Sequence, residues 1–127
     1  MIVITGGAFQ GKLAYAEQHF SVPVTDGTDC TVHEANTAKI LTHFEKLVQK
    51  LIRSGTDPVK WTESFCKTNP DCTVLITEIG CGIIPMDPDD RNWREATGRC
   101  GCILASHAKT VIRLICGIPH ALKGALL

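Results

Sequence analysis

The segment Gly6-Gly7-Ala8-Phe9-Gln10-Gly11-Lys12 constrains this chain more than any other. It fits G-x-x-x-x-G-K and lies between a β-branched run, Ile2 to Ile4, and a stretch of helix formers, Lys12 to Phe20. A strand that passes through such a loop into a helix turns successive backbone N–H groups toward one point. Glycines permit that convergence, the helix N-terminus adds partial positive charge, and the lysine neutralises an outer phosphate. The expected role is capture of nucleotide phosphates by Gly6, Gly7, Ala8, Phe9, Gln10, Gly11, Lys12 and Leu13. Leu13 departs from the motif, which places Ser or Thr there to hold magnesium. Without that hydroxyl a carboxylate or water holds the ion, or the site binds nucleotide without efficient turnover.

The rest of the chain alternates strand and helix patterns. Val22 to Thr25, interrupted by Pro23 and ending in Asp26-Gly27, reads as a second strand entering a polar loop. From Thr31 onward Ile40, Leu41, Phe44, Leu47, Val48, Leu51 and Ile52 recur at three- and four-residue intervals, which predicts one amphipathic helix. Thr31-x-x-Glu34 supplies its capping box, Gly55 its stop, and His43 is read as a partly exposed residue within it. Asp57-Pro58 opens a shorter helix through Trp61 and Phe65 that closes before Asn69-Pro70. Thr73 to Thr77 is the expected central strand, running into Glu78-Ile79-Gly80-Cys81-Gly82. Asp87-Pro88 starts a helix whose face is marked by Trp93, Ala96, Cys100, Leu104 and Ala108, and Val111 to Cys116 forms the last strand. This alternation predicts an α/β, P-loop NTPase-like three-layer fold, with a mostly parallel sheet and helices on both faces. At 127 residues the expectation is one nucleotide-binding domain, residues 1–127.

Composition narrows the function classes. Thirteen basic and thirteen acidic residues cancel, so no overall field draws the chain to nucleic acid or to an anionic membrane. The N-terminal MIVITGG lacks the basic flank and apolar run of a signal peptide, and no stretch has the apolar length of a membrane span. The expectation is a cytoplasmic protein. Seven cysteines, an odd count without a C-x-x-C pair, read as reduced thiols rather than a disulfide framework or a zinc site. Four predicted strands leave exposed sheet edges, which predicts a homo-oligomer.

Two carboxylates follow predicted strands, so Asp26 and Glu78 both belong at the carboxyl edge with the phosphate loop, and either could face Mg²⁺. Asp26 is equally well explained as a turn residue before Gly27. Glu78 follows buried strand residues and is the stronger candidate for chemistry.

Thr5-Gly6-Gly7-Ala8-x-x-Gly11-Lys12 together with Glu78-Ile79-Gly80-Cys81-Gly82-Ile83-Ile84-Pro85 resembles the adenosylcobinamide kinase / adenosylcobinamide-phosphate guanylyltransferase family. The resemblance continues through Arg91, Trp93, Arg94, Gly98 and Arg99, and through Cys116-Gly117-Ile118 followed by Lys123. It implies a P-loop fold, usually oligomeric, that uses ATP or GTP to phosphorylate the aminopropanol hydroxyl of adenosylcobinamide and then transfers GMP to that phosphate. On this resemblance Lys12 and its loop hold the triphosphate, Glu78 lies near the phosphates, and Arg91, Arg94 and Arg99 contact phosphate or a neighbouring subunit. The family carries GMP on a histidine in a segment after its first helix, and here Phe20 and Asp26 stand only six positions apart. His33, in Thr-Val-His-Glu, does not reproduce that context. Two readings stay open: a cobinamide kinase or guanylyltransferase of cobalamin biosynthesis, and a non-catalytic nucleotide-binding or regulatory protein derived from that family.

Overall fold

In the computed structural model, which describes residues 1–127, the apolar run after Met1 forms β1 (Ile2–Gly6) and the alternation follows from there. The later elements are α1 (Lys12–His19), β2 (Val24–Asp26), α2 (Val32–Thr37), β3 (Ile40–Thr42), α3 (Phe44–Arg53), α4 (Pro58–Thr68), β4 (Thr73–Thr77), α5 (Pro88–His107), β5 (Thr110–Ile115) and β6 (Ile118–Lys123). One sheet contains all six strands in the order β2-β3-β4-β1-β5-β6. Every neighbouring pair is parallel except the β5–β6 hairpin. This is the P-loop-like α/β architecture expected from the alternation, with helices on both faces. No helix is long and apolar enough to cross a membrane.

Strand periodicity divides the core in two. Val3, Leu41, Val74, Ile76 and Val111 point to one face and pack with Phe44, Leu47, Val48 and Leu51 of α3, Phe65 of α4, and Cys100 and Leu104 of α5. Ile4, Ile40, Leu75, Ile112 and Leu114 point to the other, where Tyr15 and Ala16 of α1 cover them. On the thicker side Phe44 and Phe65 lie 5.9 Å apart between ring centroids, and Trp61 stacks on Phe65 at 5.1 Å. Cys66 and Cys72 are buried core residues whose thiols burial pushes up to about 11 and about 12, and all seven cysteines are free.

One sequence expectation is overturned in this region. The helix read from Thr31 to Ile52 is α2, β3 and α3 in succession. Its capping box is present, with the Thr31 hydroxyl accepting from the Glu34 amide at 3.1 Å and the Glu34 carboxylate accepting from the Thr31 amide at 2.7 Å, but it caps only the short α2. Ile40 and Leu41 are adjacent, so they satisfy a helical stripe and a strand buried on both faces equally well. The sheet resolves the ambiguity, because Ile40 packs in one core and Leu41 in the other, which a single helical stripe cannot do. His43 is accordingly no interior helix residue. It is the N-cap of α3 with φ 50°, the left-handed turn that carries β3 into the helix. Gly55, at φ 78°, ends α3 as expected, with the Thr56 amide donating to the Leu51 carbonyl at 2.9 Å. The sheet therefore has six strands rather than four, the two additions being β3 and the edge strand β6.

Phe44 is fully buried at the junction of α3 with both tryptophan-bearing helices. Phe44→Ala is expected to cost about 3–5 kcal/mol, read as a lowered urea midpoint with the slope unchanged.

Candidate functional site

The phosphate loop caps β1 and turns into α1 through two left-handed positions, Phe9 at φ 58° and Gly11 at φ 89°. Its start is crowded: a Cβ on Gly6, at φ 149°, would lie 2.6 Å from the Leu114 carbonyl oxygen of β5. Gln10 ties the loop to the β5–β6 turn, accepting from the Cys116 amide through its side chain at 2.6 Å and from the Gly117 amide through its carbonyl at 3.1 Å. Lys12 folds back over the loop and donates to the carbonyls of Gly6 at 3.1 Å and Gly7 at 2.6 Å. Burial lowers the pKa of Lys12, while the carboxylates of Glu45 and Glu78 pull in the opposite direction. An anion at the loop would exchange neutral carbonyl partners for charged ones, which is the stronger interaction. Leu13 presents an exposed apolar side chain where a hydroxyl is usual.

Beside the loop lies a cavity of about 450 Å³, walled by Gly11, Lys12, Leu13, Thr42, His43, Glu45, Lys46, Thr77 and Trp93 among others. Glu45 is its one carboxylate, 3% exposed, in the first turn of α3. Its Oε2 accepts from the Thr77 amide at 3.0 Å, and its backbone carbonyl accepts from the Trp93 indole N–H at 2.7 Å. The Lys46 ammonium stands 5.1 Å from the Trp93 ring centre. None of Thr42, Glu45, Lys46 or Trp93 stood out in the sequence as a site residue. The available signal was a glutamate embedded among Phe44, Leu47 and Val48, and it was hidden by reading the whole segment as one amphipathic helix.

Glu78 follows β4 directly, and its amide continues the ladder by donating to the Gly6 carbonyl at 3.0 Å. Thr5 pairs with Arg113 in the parallel register, so the side chains of Thr5, Arg113 and Glu78 share one face. Arg113 spans β1 to grip Glu78 with a bidentate fork, Nε to Oε1 and Nη2 to Oε2, each 2.9 Å, and the Thr5 hydroxyl donates to Oε1 at 3.3 Å. Hydrogen bonding and charge from Glu78 raise the Arg113 pKa. The sequence signal for Arg113 was a lone charge in an apolar strand. A second cavity of about 430 Å³ opens between this fork and α5, walled by Val3, Ile76, Thr97, Gly98, Gly101 and Val111 among others. It shares Thr77 and Ile79 with the phosphate-loop cavity. Thr97, 4% exposed, has a buried hydroxyl without a hydrogen-bond partner.

The remaining expected residues lie apart from the loop. Asp26 ends β2, separated from β1 by β3 and β4. Its Oδ1 accepts from the Thr28 amide at 2.8 Å and contacts the His43 Nδ1 at 3.0 Å, so it serves the turn at the sheet edge. Arg91 donates to the carbonyls of Pro85 at 2.9 Å and Met86 at 2.8 Å, while Arg94 donates to those of Ile83 at 2.7 Å and Gly80. These two arginines brace the loop between β4 and α5. Arg99 pairs with Glu95 at 2.9 Å on the exposed surface of α5, and His33 is exposed on α2.

The family model described as cobinamide kinase / cobinamide phosphate guanyltransferase matches residues 28–122. The matched span carries Glu45, Glu78, Trp93 and Arg113 but begins beyond the phosphate loop, whose reading rests on its own motif and geometry. No curated protein matches the chain.

Asp26 supplies a pH signature. Burial alone would raise its pKa, but the Thr28 hydrogen bonds and His43 outweigh it, so the folded value lies below the ordinary one. A depressed carboxylate contributes stability above the unfolded pKa of about 3.9 and loses it as pH falls through the folded value. Urea midpoints measured from pH 6 down to pH 3 should therefore fall less steeply at the acid end in Asp26→Asn than in the wild type. Parallel curves would show that Asp26 carries none of the acid sensitivity.

Proposed function

The chain belongs to the cobinamide kinase / cobinamide phosphate guanyltransferase family, and on that premise we propose that it binds ATP or GTP with Mg²⁺ at the phosphate loop and phosphorylates the aminopropanol hydroxyl of adenosylcobinamide in cobalamin biosynthesis. The observation that carries the proposal is the pair of cavities meeting at Thr77 and Ile79 at the carboxyl edge of β4. One is lined by Lys12 and loop backbone and suits polyphosphate, and the other is largely apolar and suits the arm of an acceptor. Lys12 leaves the carbonyls of Gly6 and Gly7 for the outer phosphate oxygens, and the loop amides and the N-terminus of α1 hold the rest. The acceptor oxygen attacks the terminal phosphorus, the bond to the bridging oxygen breaks, the nucleoside diphosphate departs, and the hydroxyl proton passes to water. When bound, magnesium neutralises the phosphate oxygens on which charge develops. Glu78 walls the acceptor side, and its fork with Arg113 holds the ends of β4 and β5 together across β1.

The family's second activity, guanylyl transfer, is supported less, because no histidine stands in the context that carries GMP. That absence and Leu13 together favour, as the second reading, a nucleotide-binding or regulatory protein of the same family. The proposal extends to a cytoplasmic homo-oligomer, in which Ile83, Ile84 and Met86, all strongly exposed on the loop before α5, pack against a neighbouring subunit.

Titration calorimetry with ATP and GTP plus Mg²⁺, with and without adenosylcobinamide, combined with product analysis, tests the proposal. Corrinoid-dependent phosphate transfer supports the kinase, nucleotide binding without transfer supports the regulatory reading, and no binding overturns both. Lys12→Ala should weaken nucleotide binding about ten- to a hundred-fold, as expected for loss of hydrogen bonds to a charged group. Light scattering at working concentration should give a mass above that of one chain, and a monomer would remove the oligomer from the proposal.

A further inference from the structure

We infer that Glu45 is the carboxylate that meets the magnesium ion of a bound nucleotide, replacing the hydroxyl that Leu13 lacks. The inference rests on the nucleotide reading above and adds a residue to it.

The other carboxylates near the carboxyl edge are committed elsewhere. Both oxygens of Glu78 are held in the Arg113 fork, which leaves an ion competing with a guanidinium. Asp26 lies three strands from β1, is bonded to Thr28 and His43, and does not line the phosphate-loop cavity. Thr42, at the end of β3, offers only a neutral hydroxyl. Glu45 is 3% exposed yet lines that cavity, and only its Oε2 is engaged, by the Thr77 amide. Oε1 accepts no hydrogen bond.

A carboxylate so buried requires a positive partner. Lys12 supplies that attraction across the cavity. When Lys12 turns to the phosphates, Glu45 loses part of its compensation, and a divalent cation arriving with the nucleotide restores it. Magnesium needs only one or two protein carboxylates alongside phosphate oxygens and water, so a single glutamate is a sufficient protein contribution. The side chain is positioned for the task, because the Thr77 amide fixes one oxygen and the Trp93 indole fixes the Glu45 backbone.

Two measurements decide the matter. Nucleotide affinity is measured by calorimetry in Mg²⁺ and in excess EDTA for the wild type, Glu45→Gln, Asp26→Asn and Glu78→Gln. Glu45→Gln keeps an acceptor for the Thr77 amide and should retain metal-free binding while losing about ten-fold or more of the enhancement by Mg²⁺. The other two variants should keep that enhancement, and Leu13→Thr added to Glu45→Gln should restore part of it. In the unmodified protein, Mn²⁺ added with nucleotide should broaden the NMR signal of the Trp93 indole N–H well before that of the Thr28 amide, which removes dependence on the variant's folding. An undiminished Mg²⁺ enhancement in Glu45→Gln, its loss in Asp26→Asn or Glu78→Gln, or earlier broadening at Thr28 overturns the inference. Failure of the wild type to bind nucleotide with or without metal overturns the nucleotide reading first and this one with it.

Discussion

The arrangement depends on a missing side chain at the end of β1. Gly6 brings the backbone of the phosphate loop against the Leu114 carbonyl at a separation no Cβ would allow. Parallel pairing on both sides of β1 lets Arg113 reach over Thr5 to Glu78, and beside the close approach at Gly6 the loop residue Gln10 reaches the amides of Cys116 and Gly117. Glu78 completes the same point from the other side, its amide bonded to the Gly6 carbonyl. One backbone position thus gathers the ends of β4, β1 and β5. Binding groups held on strand ends are more rigid than groups on free loops, which is what phosphate recognition requires.

The charges around that point divide into two compartments. On the side facing α5, Glu78 and Arg113 neutralise each other, and the space beneath the helix is correspondingly apolar. On the side facing α3, Lys12, Lys46 and Glu45 border the cavity and leave it with a cationic excess. A cation-bordered compartment and an apolar one thus lie side by side, with Thr77 and Ile79 as their common boundary.

The sequence disclosed the parts of this arrangement that depend on local chemistry. The phosphate loop, the proline-capped starts of α4 and α5, the central β4 and the glycine end of α3 are written in neighbouring residues. What escaped notice depends on distance. β3 looked helical because Ile40 and Leu41 are assigned to opposite faces only by their pairing with β2 and β4. Arg113 and Glu78 are remote in the chain and meet only because parallel pairing sets both strands beside β1. Glu45 was masked by its apolar neighbours, since period alone does not distinguish a carboxylate facing a cavity from one facing water. Arg91 and Arg94 were visible as cations, but the carbonyls that occupy them belong to a loop whose path no local motif specifies.

The two faces of the sheet are unequally covered, and α1 alone spans one of them with eight residues. A helix that short has little stability of its own, so its attachment rests on Tyr15, Ala16 and its ends. An anion bound at its first turn would fasten the helix that roofs the smaller of the two core clusters. Occupancy and proteolytic lifetime are then linked through mass action. Ligand held there would leave the core open to a protease less of the time.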